Sequence, residues 1–452
     1  MAVTRRQFVA GMSALAASMG FNSAQIAKIT EALAVGGLGF KTKPKVLWVH
    51  GAECTGCSVS LLSLYEDARG LAIRGTNIST LAALELATDA PGGDVLTHKR
   101  TLQNNGFNVD GSPYAINVQD ILIDWVDLQY HETVQSMGGD LGYRVLAENM
   151  VYSGGDDPFV LVVEGAVQDK DLGGAWGDAG HHPWCSIGMP DTAGSAVIDG
   201  TTPLTDLSFD DVVQKLAERA DCAAVIAIGQ CATFGGIPAS TSPEFTDILG
   251  VGQGDNKGRQ TGAMGTHEFL LHKGSAAADK VVNVPGCPTN PWWFVLTVVA
   301  FLVDLKATLG ALAGTEGPLG ILTATAGLPA ITGGVDATRR LTAVYGTPLH
   351  GPACARYGEY VKGNFADNPG EDGCLQLIGC KGPSVNSTCG VHGWNGQQPE
   401  NREALRGAGF IDSHNVADFG GKQGGNCIMA GHPCMGCTEQ GYPDAFVPFV
   451  VR

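Results

Sequence analysis

The sequence predicts a doubly wound α/β domain, and three observations indicate it. Between residues 45 and about 325, short continuous apolar runs alternate with stretches of helical spacing. Continuous hydrophobicity is typical of strands that helices cover on both faces, as in a parallel sheet. The first four runs each lead into a loop that carries a small or reactive residue. Because ligands bind outside the carboxyl ends of parallel strands, these loops predict a site at one edge of the sheet.

The apolar runs predict five strands, of which the last is the weakest. They lie at residues 46–49, 159–163, 223–228, 280–284 and 320–322. Helical spacing predicts a helix from Phe209 to Arg219, where Asp210 and Asp211 suit the first turn. The apolar stretch from Trp292 to Leu305 is shorter than the roughly 20 residues that a membrane span needs. It predicts a buried helix, and no transmembrane helix is expected in this chain.

The composition limits the classes of partner. With 452 residues, of which 44% are hydrophobic, the chain is long enough to bury a large core. Its net charge is −17, with 45 acidic against 28 basic residues. A phosphate backbone selects a basic surface, so this balance argues against a nucleic-acid partner.

The N-terminal segment resembles an export signal. Residues 4–9 read T-R-R-Q-F-V, and a mildly apolar stretch follows up to Phe21. With a small-residue cleavage site at 32–34, this pattern predicts a twin-arginine signal over residues 1–34; the alternative is an ordinary basic N-terminus. Export would place the protein in the periplasm or on the outer face of the cytoplasmic membrane. Residues 66–117 fit the strand and helix alternation poorly and are interpreted as an insertion.

Four cysteines follow predicted strands. Cys54 and Cys57 form a C-x-x-C pair after the first strand, while Cys231 and Cys287 each follow another strand. Four thiolates that converge from three loops suit a 4Fe–4S cluster. A zinc site is the alternative for the same four residues, and a C-x-x-C pair alone would also suit thiol redox chemistry.

The C-terminal part of the chain, residues 331–452, is dense in glycine and cysteine and has few apolar runs. Such a segment buries too little surface to fold unaided, so we expect a metal or a covalent link to hold it. Eight soft or borderline ligands predict two four-ligand metal sites here, while disulfides are the alternative. The eight are His350, Cys354, Cys374, Cys380, Cys389, Cys427, Cys434 and Cys437.

Five motifs resemble those of the small subunit of nickel–iron hydrogenases, and they occur in that family's order. They read E-C-T-G-C-S at 53–58, G-Q-C-A-T-F-G-G at 229–236, P-G-C-P at 285–288, L-I-G-C-K-G-P at 377–383 and A-G-H-P-C-M-G-C at 430–437. The resemblance extends over nearly all of the chain from Lys45 onwards.

The resemblance implies a flavodoxin-like domain over 45–330 and an iron–sulfur domain with little regular structure over 331–452. It also implies three iron–sulfur clusters, all of them expected to be 4Fe–4S. The proximal cluster would be held by Cys54, Cys57, Cys231 and Cys287. The distal cluster would be held by His350, Cys354, Cys374 and Cys380. The medial cluster would be held by Cys389, Cys427, Cys434 and Cys437.

Three departures from the family pattern refine this expectation. Cys427 stands where most relatives have proline and a three-iron medial cluster, so a fourth thiolate is expected to complete a cube, as in the nickel–iron–selenium branch. Gly56 and Gly236 stand where the oxygen-tolerant branch has extra cysteines, so we expect an ordinary proximal cube. His350 and Cys354 are spaced H-x-x-x-C, one residue more than the usual H-x-x-C.

Two cysteines remain after these assignments. Cys222 opens a predicted buried strand and is expected to be a small core residue, and Cys185 receives no role. Glu53, beside Cys54, is interpreted either as a group for partner contact or proton movement, or as a solvated carboxylate.

The resemblance implies a part in the reversible oxidation of dihydrogen to protons and electrons. The reaction would take place on a nickel–iron centre in a large partner subunit, so no catalytic residue is expected in this chain. The chain would relay electrons to an external acceptor such as a cytochrome or a quinone-linked protein. Two rival hypotheses are the iron–sulfur subunit of a quinone-reducing respiratory complex and a stand-alone exported protein held by disulfides.

Overall fold

The computed structural model describes parts of both predicted domains, and the predicted signal, the insertion at 66–117 and the predicted fifth strand at 320–322 lie outside the described residues. The described residues are 45–62, 126–135, 139–147, 159–171, 185–188, 207–240, 261–291, 293–294, 297–298, 335–351, 354–389 and 426–451. Within these ranges no helix combines the length and the apolar character that crossing a membrane requires.

The central element is a sheet of five strands, all parallel. In chain order the strands of this sheet are β1 (Lys45–His50), β2 (Asp127–His131), β3 (Phe159–Glu164), β7 (Cys222–Ile228) and β9 (Val281–Val284). Their spatial order is β2-β1-β3-β7-β9, which is 2-1-3-4-5 when counted within the sheet. This is the flavodoxin-like doubly wound order. The predicted fold class is therefore confirmed.

Four of the predicted strands coincide with strands of this sheet. Every residue of β3 and of β7 is buried, as expected for central strands with helices on both faces. The remaining strand of the sheet, β2, was not predicted from the sequence. It reads D-L-Q-Y-H, pairs only with β1 at the edge of the sheet, and is buried only at its last two residues.

Short elements complete the α/β part. The helices are α1 (Gly56–Leu62), α2 (Gly139–Leu146), α3 (Phe209–Glu218), α4 (Gly229–Phe234) and α5 (Thr266–His272), with a 3₁₀ turn at Ala276–Lys280. The remaining strands form two antiparallel pairs, β4 (Val167–Gln168) with β8 (Ala263–Met264) and β5 (Ser186–Gly188) with β6 (Leu207–Ser208). Helix α3 confirms the predicted helix and ends one residue earlier, and its buried face, which includes Val212, Val213 and Leu216, joins the core. Of the predicted buried helix at 292–305, the described Trp293 and Phe294 are buried.

The described part of the C-terminal region has little regular structure. Its helices are α6 (Thr342–Tyr345) and α7 (Tyr357–Lys362), and its 3₁₀ turns are Gln376–Ile378, Gly382–Ser384 and Asp444–Phe446. One small apolar cluster lies here, formed by Leu349, Ala366, Leu375, Ile378, Val385, Ile428 and Cys434. The partly buried side chains packed against that cluster are Cys354, Cys380 and Cys389. One cysteine therefore belongs to this small apolar cluster, and three more pack against it.

Candidate metal centres

The carboxyl edge of the sheet brings four cysteines together. Cys54 follows β1, Cys57 lies in the first turn of α1, Cys231 lies in α4 directly after β7, and Cys287 follows β9. The pKa of the Cys231 thiol is raised to about 12, first by burial and then by the neighbouring charges of Cys287 and Cys54. Burial also raises the pKa of Cys57, and Cys231 contributes to that rise. These four predicted ligands, called the proximal group below, are close neighbours.

Glycines leave the space beside the sulfurs of the proximal group. Gly229 has φ +88°, and a Cβ added to it would lie 2.5 Å from the Cys57 Sγ atom. An added Cβ at Gly56 would lie 2.9 Å from the Cys54 Sγ atom, and one at Gly236 would lie 3.0 Å from the Cys231 Sγ atom. Side chains at these positions would collide with the sulfur atoms. Glycine at each of them therefore lets a predicted ligand thiol lie directly against the backbone.

A buried carboxylate holds the C-x-x-C segment in place. Glu164, the last residue of β3, accepts hydrogen bonds from the backbone N–H groups of Cys57 at 3.1 Å and Ser58 at 3.0 Å. It also accepts from the Ser58 hydroxyl at 2.6 Å and from the Trp48 indole at 2.9 Å. Burial is the largest influence on the Glu164 carboxyl and raises its pKa, although the nearby His50 and Ser58 oppose the rise. This positioning role was not predicted from the sequence.

Two histidines and Glu53 extend this polar network. The Nδ1 atom of His131 accepts two backbone N–H groups, from Thr133 at 3.2 Å and Val134 at 3.4 Å, so its Nε2 atom carries the proton. That Nε2–H donates to the Ser58 hydroxyl at 3.3 Å. Burial and the neighbouring His50 lower the pKa of His131 to about 3, so this ring is neutral.

Glu53 is held inside the network rather than solvated. Its Oε1 atom lies 3.0 Å from the His50 Nδ1 atom and accepts the Thr55 hydroxyl at 3.0 Å, and its side chain is only 8% exposed. Possible ligand atoms of His50, Glu53 and Glu164 lie within 4.8 Å of one another. Both Glu164 oxygens already accept N–H and O–H groups, so we assign this trio to positioning α1 and not to a cation.

A second group of cysteines gathers in the C-terminal region. Burial raises the pKa of the Cys354 thiol, and the charges of Cys380 and Cys374 add to the rise. The Arg356 guanidinium lies beside these three thiols and donates to the carbonyls of Ile428, Glu371 and Gly373. A buried positive charge therefore faces three thiols that would be negative as metal ligands.

His350 lies near this second group along the chain. Its ring packs edge-on against Tyr357, with centroids 5.3 Å apart, and against Tyr360 at 4.5 Å. Its Nε2 atom is buried and has no hydrogen-bond partner. The carbonyl of the next residue, Gly351, accepts the Cys354 N–H at 2.9 Å. A buried ring nitrogen without a hydrogen-bond partner fits the predicted role of His350 as a metal ligand. His350 and the three cysteines are called the distal group.

The last four cysteines form a third cluster, called the medial group. Burial, followed by the charge of Cys427, raises the pKa of Cys389 to about 12. Cys434 is buried next to Cys389 and Cys437, which raise its pKa further. Cys437 in turn has Cys427 and Cys389 as neighbours that raise its own pKa. The segment that carries Cys427 is tied to the one that carries Cys389, because the Asn426 side chain donates to the Cys389 carbonyl at 2.9 Å.

The medial group touches both of the others. The Cys437 thiol has Cys287 of the proximal group as a charged neighbour and as a backbone hydrogen-bond partner. On the other side, the Cys434 N–H donates to the Cys380 Sγ atom of the distal group at 3.3 Å. The three groups therefore stand in the series proximal, medial and distal.

All thirteen cysteines lie among the described residues, and each of them is a free thiol. Cys222 is 1% exposed in the core, as expected, and Cys185 donates to the Gln168 side chain at 3.3 Å. The other eleven, together with His350, are the twelve predicted cluster ligands. This donor set of thiolates and one imidazole fits iron–sulfur clusters.

Two family models match the chain. One, described as NADH ubiquinone oxidoreductase, 20 Kd subunit, matches residues 112–301. The other describes the C-terminal part of the NiFe/NiFeSe hydrogenase small subunit and matches residues 345–404. The first match covers most of the α/β part, and the second begins just before His350 and includes Cys389.

Proteins similar to nearly the whole of this chain are named hydrogenase small subunits. The F420 non-reducing hydrogenase II small subunit of Methanosarcina mazei is 27% identical over 99% of this chain and 84% of that protein. The periplasmic NiFeSe hydrogenase small subunit of Desulfomicrobium baculatum is 25% identical over 100% of this chain and 99% of that protein.

A solved structure has the same fold. The recombinant NiFeSe hydrogenase from Desulfovibrio vulgaris Hildenborough superposes with a TM-score of 0.55 at 24% identity, covering 92% of this chain and 100% of the matched chain. The order of the motifs, the C-terminal family match and these full-length relatives agree with one another. Over nearly its whole length the chain is therefore similar to the small subunits of NiFe and NiFeSe hydrogenases.

Proposed function

We propose that this chain is the electron-transfer subunit of a hydrogenase, and that it relays electrons between a nickel–iron centre in a large partner subunit and an external acceptor. One observation carries the proposal: the medial group of predicted iron ligands contacts both the proximal group, through Cys437 and Cys287, and the distal group, through Cys434 and Cys380. A series of binding sites through the interior is what an electron relay requires.

The clusters that these groups would hold accept and release single electrons, at potentials that their ligands, hydrogen bonds and burial set. The residues of this chain fix the sites and exclude water. Glu164 orients the first turn of α1, which carries Cys57, and Gly229 leaves the room beside that thiol. Arg356 provides a positive charge next to the distal cysteines. The proposed ends of the relay are Cys54, an exposed thiol of the proximal group, and the half-buried His350 of the distal group.

The names of the relatives support a location and a partner for this chain. Two of the similar proteins are named periplasmic hydrogenase small subunits. With the R-R motif at 5–6, this supports export of the chain by the twin-arginine route as part of a heteromer with its large subunit. We place it in the periplasm or on the outer face of the cytoplasmic membrane, with a cytochrome or a quinone-linked protein as acceptor.

The runner-up function is the iron–sulfur subunit of a quinone-reducing respiratory complex. The match of residues 112–301 to a family described as an NADH ubiquinone oxidoreductase subunit favours it. It leaves the distal and medial groups without a purpose, because they lie in the part of the chain beyond that match. The hydrogenase proposal uses all three groups.

Purification of the chain together with the proteins that co-purify tests the proposal. We expect about twelve iron atoms and about twelve inorganic sulfides per chain, as three cubes require. We also expect nickel in a larger partner and dye reduction that depends on dihydrogen. Cysteines recovered as disulfides without iron would contradict the whole proposal. About twelve iron with quinone-linked activity, and without nickel, would favour the runner-up.

Replacing Cys427 by alanine is expected to convert the medial cluster from four irons to three. Without the fourth thiolate, one corner of the cube has no protein ligand, so the iron content should fall by about one atom per chain. The oxidised variant should show the EPR signal of a three-iron cluster, and the medial reduction potential should rise. Cys185→Ala is the matched control, because that thiol belongs to no group. Unchanged iron content and EPR in Cys427→Ala would show that Cys427 is not a ligand.

A further inference from the structure

The segment before α6 lies beside the proximal group and also reaches the medial one. Arg340 pairs with Asn283 of β9 in a parallel bridge, and the Asn283 N–H donates to the Arg339 carbonyl at 3.0 Å. Strand β9 leads directly into the loop that carries Cys287. The backbone of Arg340 is therefore fixed relative to the proximal group.

The side chain of Arg340 extends to the segment that carries Cys437 of the medial group. Its guanidinium is buried, and its Nη1 atom donates to the Thr438 carbonyl at 2.8 Å and to the Glu439 carboxylate at 3.0 Å. Thr438 and Glu439 directly follow Cys437. The Nε atom donates to Asp336 at 2.8 Å, so two carboxylates balance the buried charge.

Glu439 also binds the segment that carries Cys389, another cysteine of the medial group. Its Oε1 atom accepts the Asn386 N–H at 2.7 Å, three residues before Cys389. Its carbonyl accepts the side chain of Gln230, the neighbour of Cys231, at 2.8 Å. One carboxylate thus joins the Cys389 and Cys437 segments to each other and to Arg340.

An aromatic ring completes the connection to the proximal loop. The Arg340 guanidinium lies over the Tyr345 ring, 5.3 Å from its centroid. The Tyr345 hydroxyl donates to the Pro285 carbonyl at 2.7 Å, two residues before Cys287. The guanidinium is therefore packed between the loop of one proximal cysteine and the segment of one medial cysteine.

From these contacts we infer that Arg340 is a positioning residue that fixes the medial ligands against the proximal ones and so sets the gap that an electron must cross. The inference rests on the proposed function. A bidentate, planar cation suits this role better than lysine, because it donates to a carbonyl and to two carboxylates in fixed directions. Since electron transfer slows as the gap widens, loss of these bonds should act on the relay without touching any ligand.

The test compares Arg340→Gln with Arg339→Gln in the purified heteromer. Arg339 is the matched control, because its guanidinium donates only to the carbonyls of Val281 and Asp279 among the contacts that the structure gives it, both in the α/β part. We expect Arg340→Gln either to lose about four iron atoms per chain, the content of one cube, or to lose the magnetic interaction between the reduced proximal and medial clusters in EPR spectra. Arg339→Gln should retain both the iron and that interaction.

Glu439→Gln is the second variant, in case Arg340→Gln does not fold. The amide keeps an oxygen for the Asn386 N–H but loses the ion pair, so a weaker interaction signal with full iron content is expected. Iron content and spectra equal to wild type in both Arg340→Gln and Glu439→Gln would overturn the inference, and so would equal losses in Arg339→Gln. A wild-type protein without iron would instead refute the proposed function.

Discussion

Replacing Glu164 by alanine is expected to lower the free energy of unfolding by about 3–5 kcal/mol, which is roughly 10 °C in Tm for a domain of this size. The carboxylate is 1% exposed and accepts four hydrogen bonds, from two backbone N–H groups, one hydroxyl and one indole. Alanine would leave these donors buried and unpaired, and each unpaired donor is costly. Because two of them belong to the first turn of α1, the proximal iron should be lost as well.

The matched control for this experiment is Glu132→Ala. Glu132 also lies at the end of a strand, directly after β2, but it is exposed, and it accepts a long hydrogen bond from the His50 N–H at 3.3 Å and another from the Tyr130 hydroxyl. Its replacement should change stability by no more than about 1 kcal/mol. Thermal unfolding followed by circular dichroism at one scan rate compares the variants even where unfolding is irreversible. Equal shifts for the two variants would show that Glu164 does not anchor the C-x-x-C segment.

The central sheet could be predicted from the sequence because its inner strands are buried on both faces. The strand at Phe159–Glu164 and the one at Cys222–Ile228 are apolar almost throughout, and short runs of this kind between turn residues are typical of buried strands. The edge strand at Asp127–His131 could not be found in this way. Its residues Asp127 and Gln129 have polar, partly exposed side chains, so the strand lacks a continuous apolar run.

The cysteines of the proximal group could be predicted on the same physical grounds, because parallel strands deliver their following loops to one edge. The positioning role of Glu164 was not predicted, although one signal was present: a lone carboxylate ends a strand that is otherwise apolar, at the same edge as a C-x-x-C pair. A buried carboxylate there needs donors, and the N–H groups at the start of a helix can supply them.

The contacts that join the three groups in series could not be predicted from the sequence. The bond from the Cys434 N–H to the Cys380 sulfur joins segments that have no regular structure, and the contact between Cys437 and Cys287 joins two parts of the chain far apart in sequence. Neither hydrophobic period nor residue spacing encodes such contacts. The bonds of Arg340 to Thr438 and Glu439 belong to the same class. They depend on how irregular loops pack, which only the three-dimensional structure shows.

The packing of those loops also predicts what iron removal will do. The C-terminal apolar cluster has seven buried residues, and the side chains packed around it are cysteines of the medial and distal groups. The core of the sheet is much larger and includes residues from all five of its strands. Where ligands provide much of a small core, the free energy of metal binding becomes free energy of folding.

Removal of iron with a chelator under reducing conditions is therefore expected to unfold the C-terminal region and to leave the sheet folded. Limited proteolysis with mass spectrometry should find cleavage within residues 335–451 and protection of the strands at 159–164 and 222–228. The same protein incubated without chelator is the control.

If residues 335–451 resisted cleavage equally in the iron-free and the iron-loaded protein, cluster binding would not be required to fold this region. Cleavage throughout the chain would show instead that the sheet also depends on the proximal ligands, since Cys57 and Cys231 lie in the helices that follow two of its strands. Selective cleavage would identify the medial and distal cysteines as the core around which the C-terminal region folds.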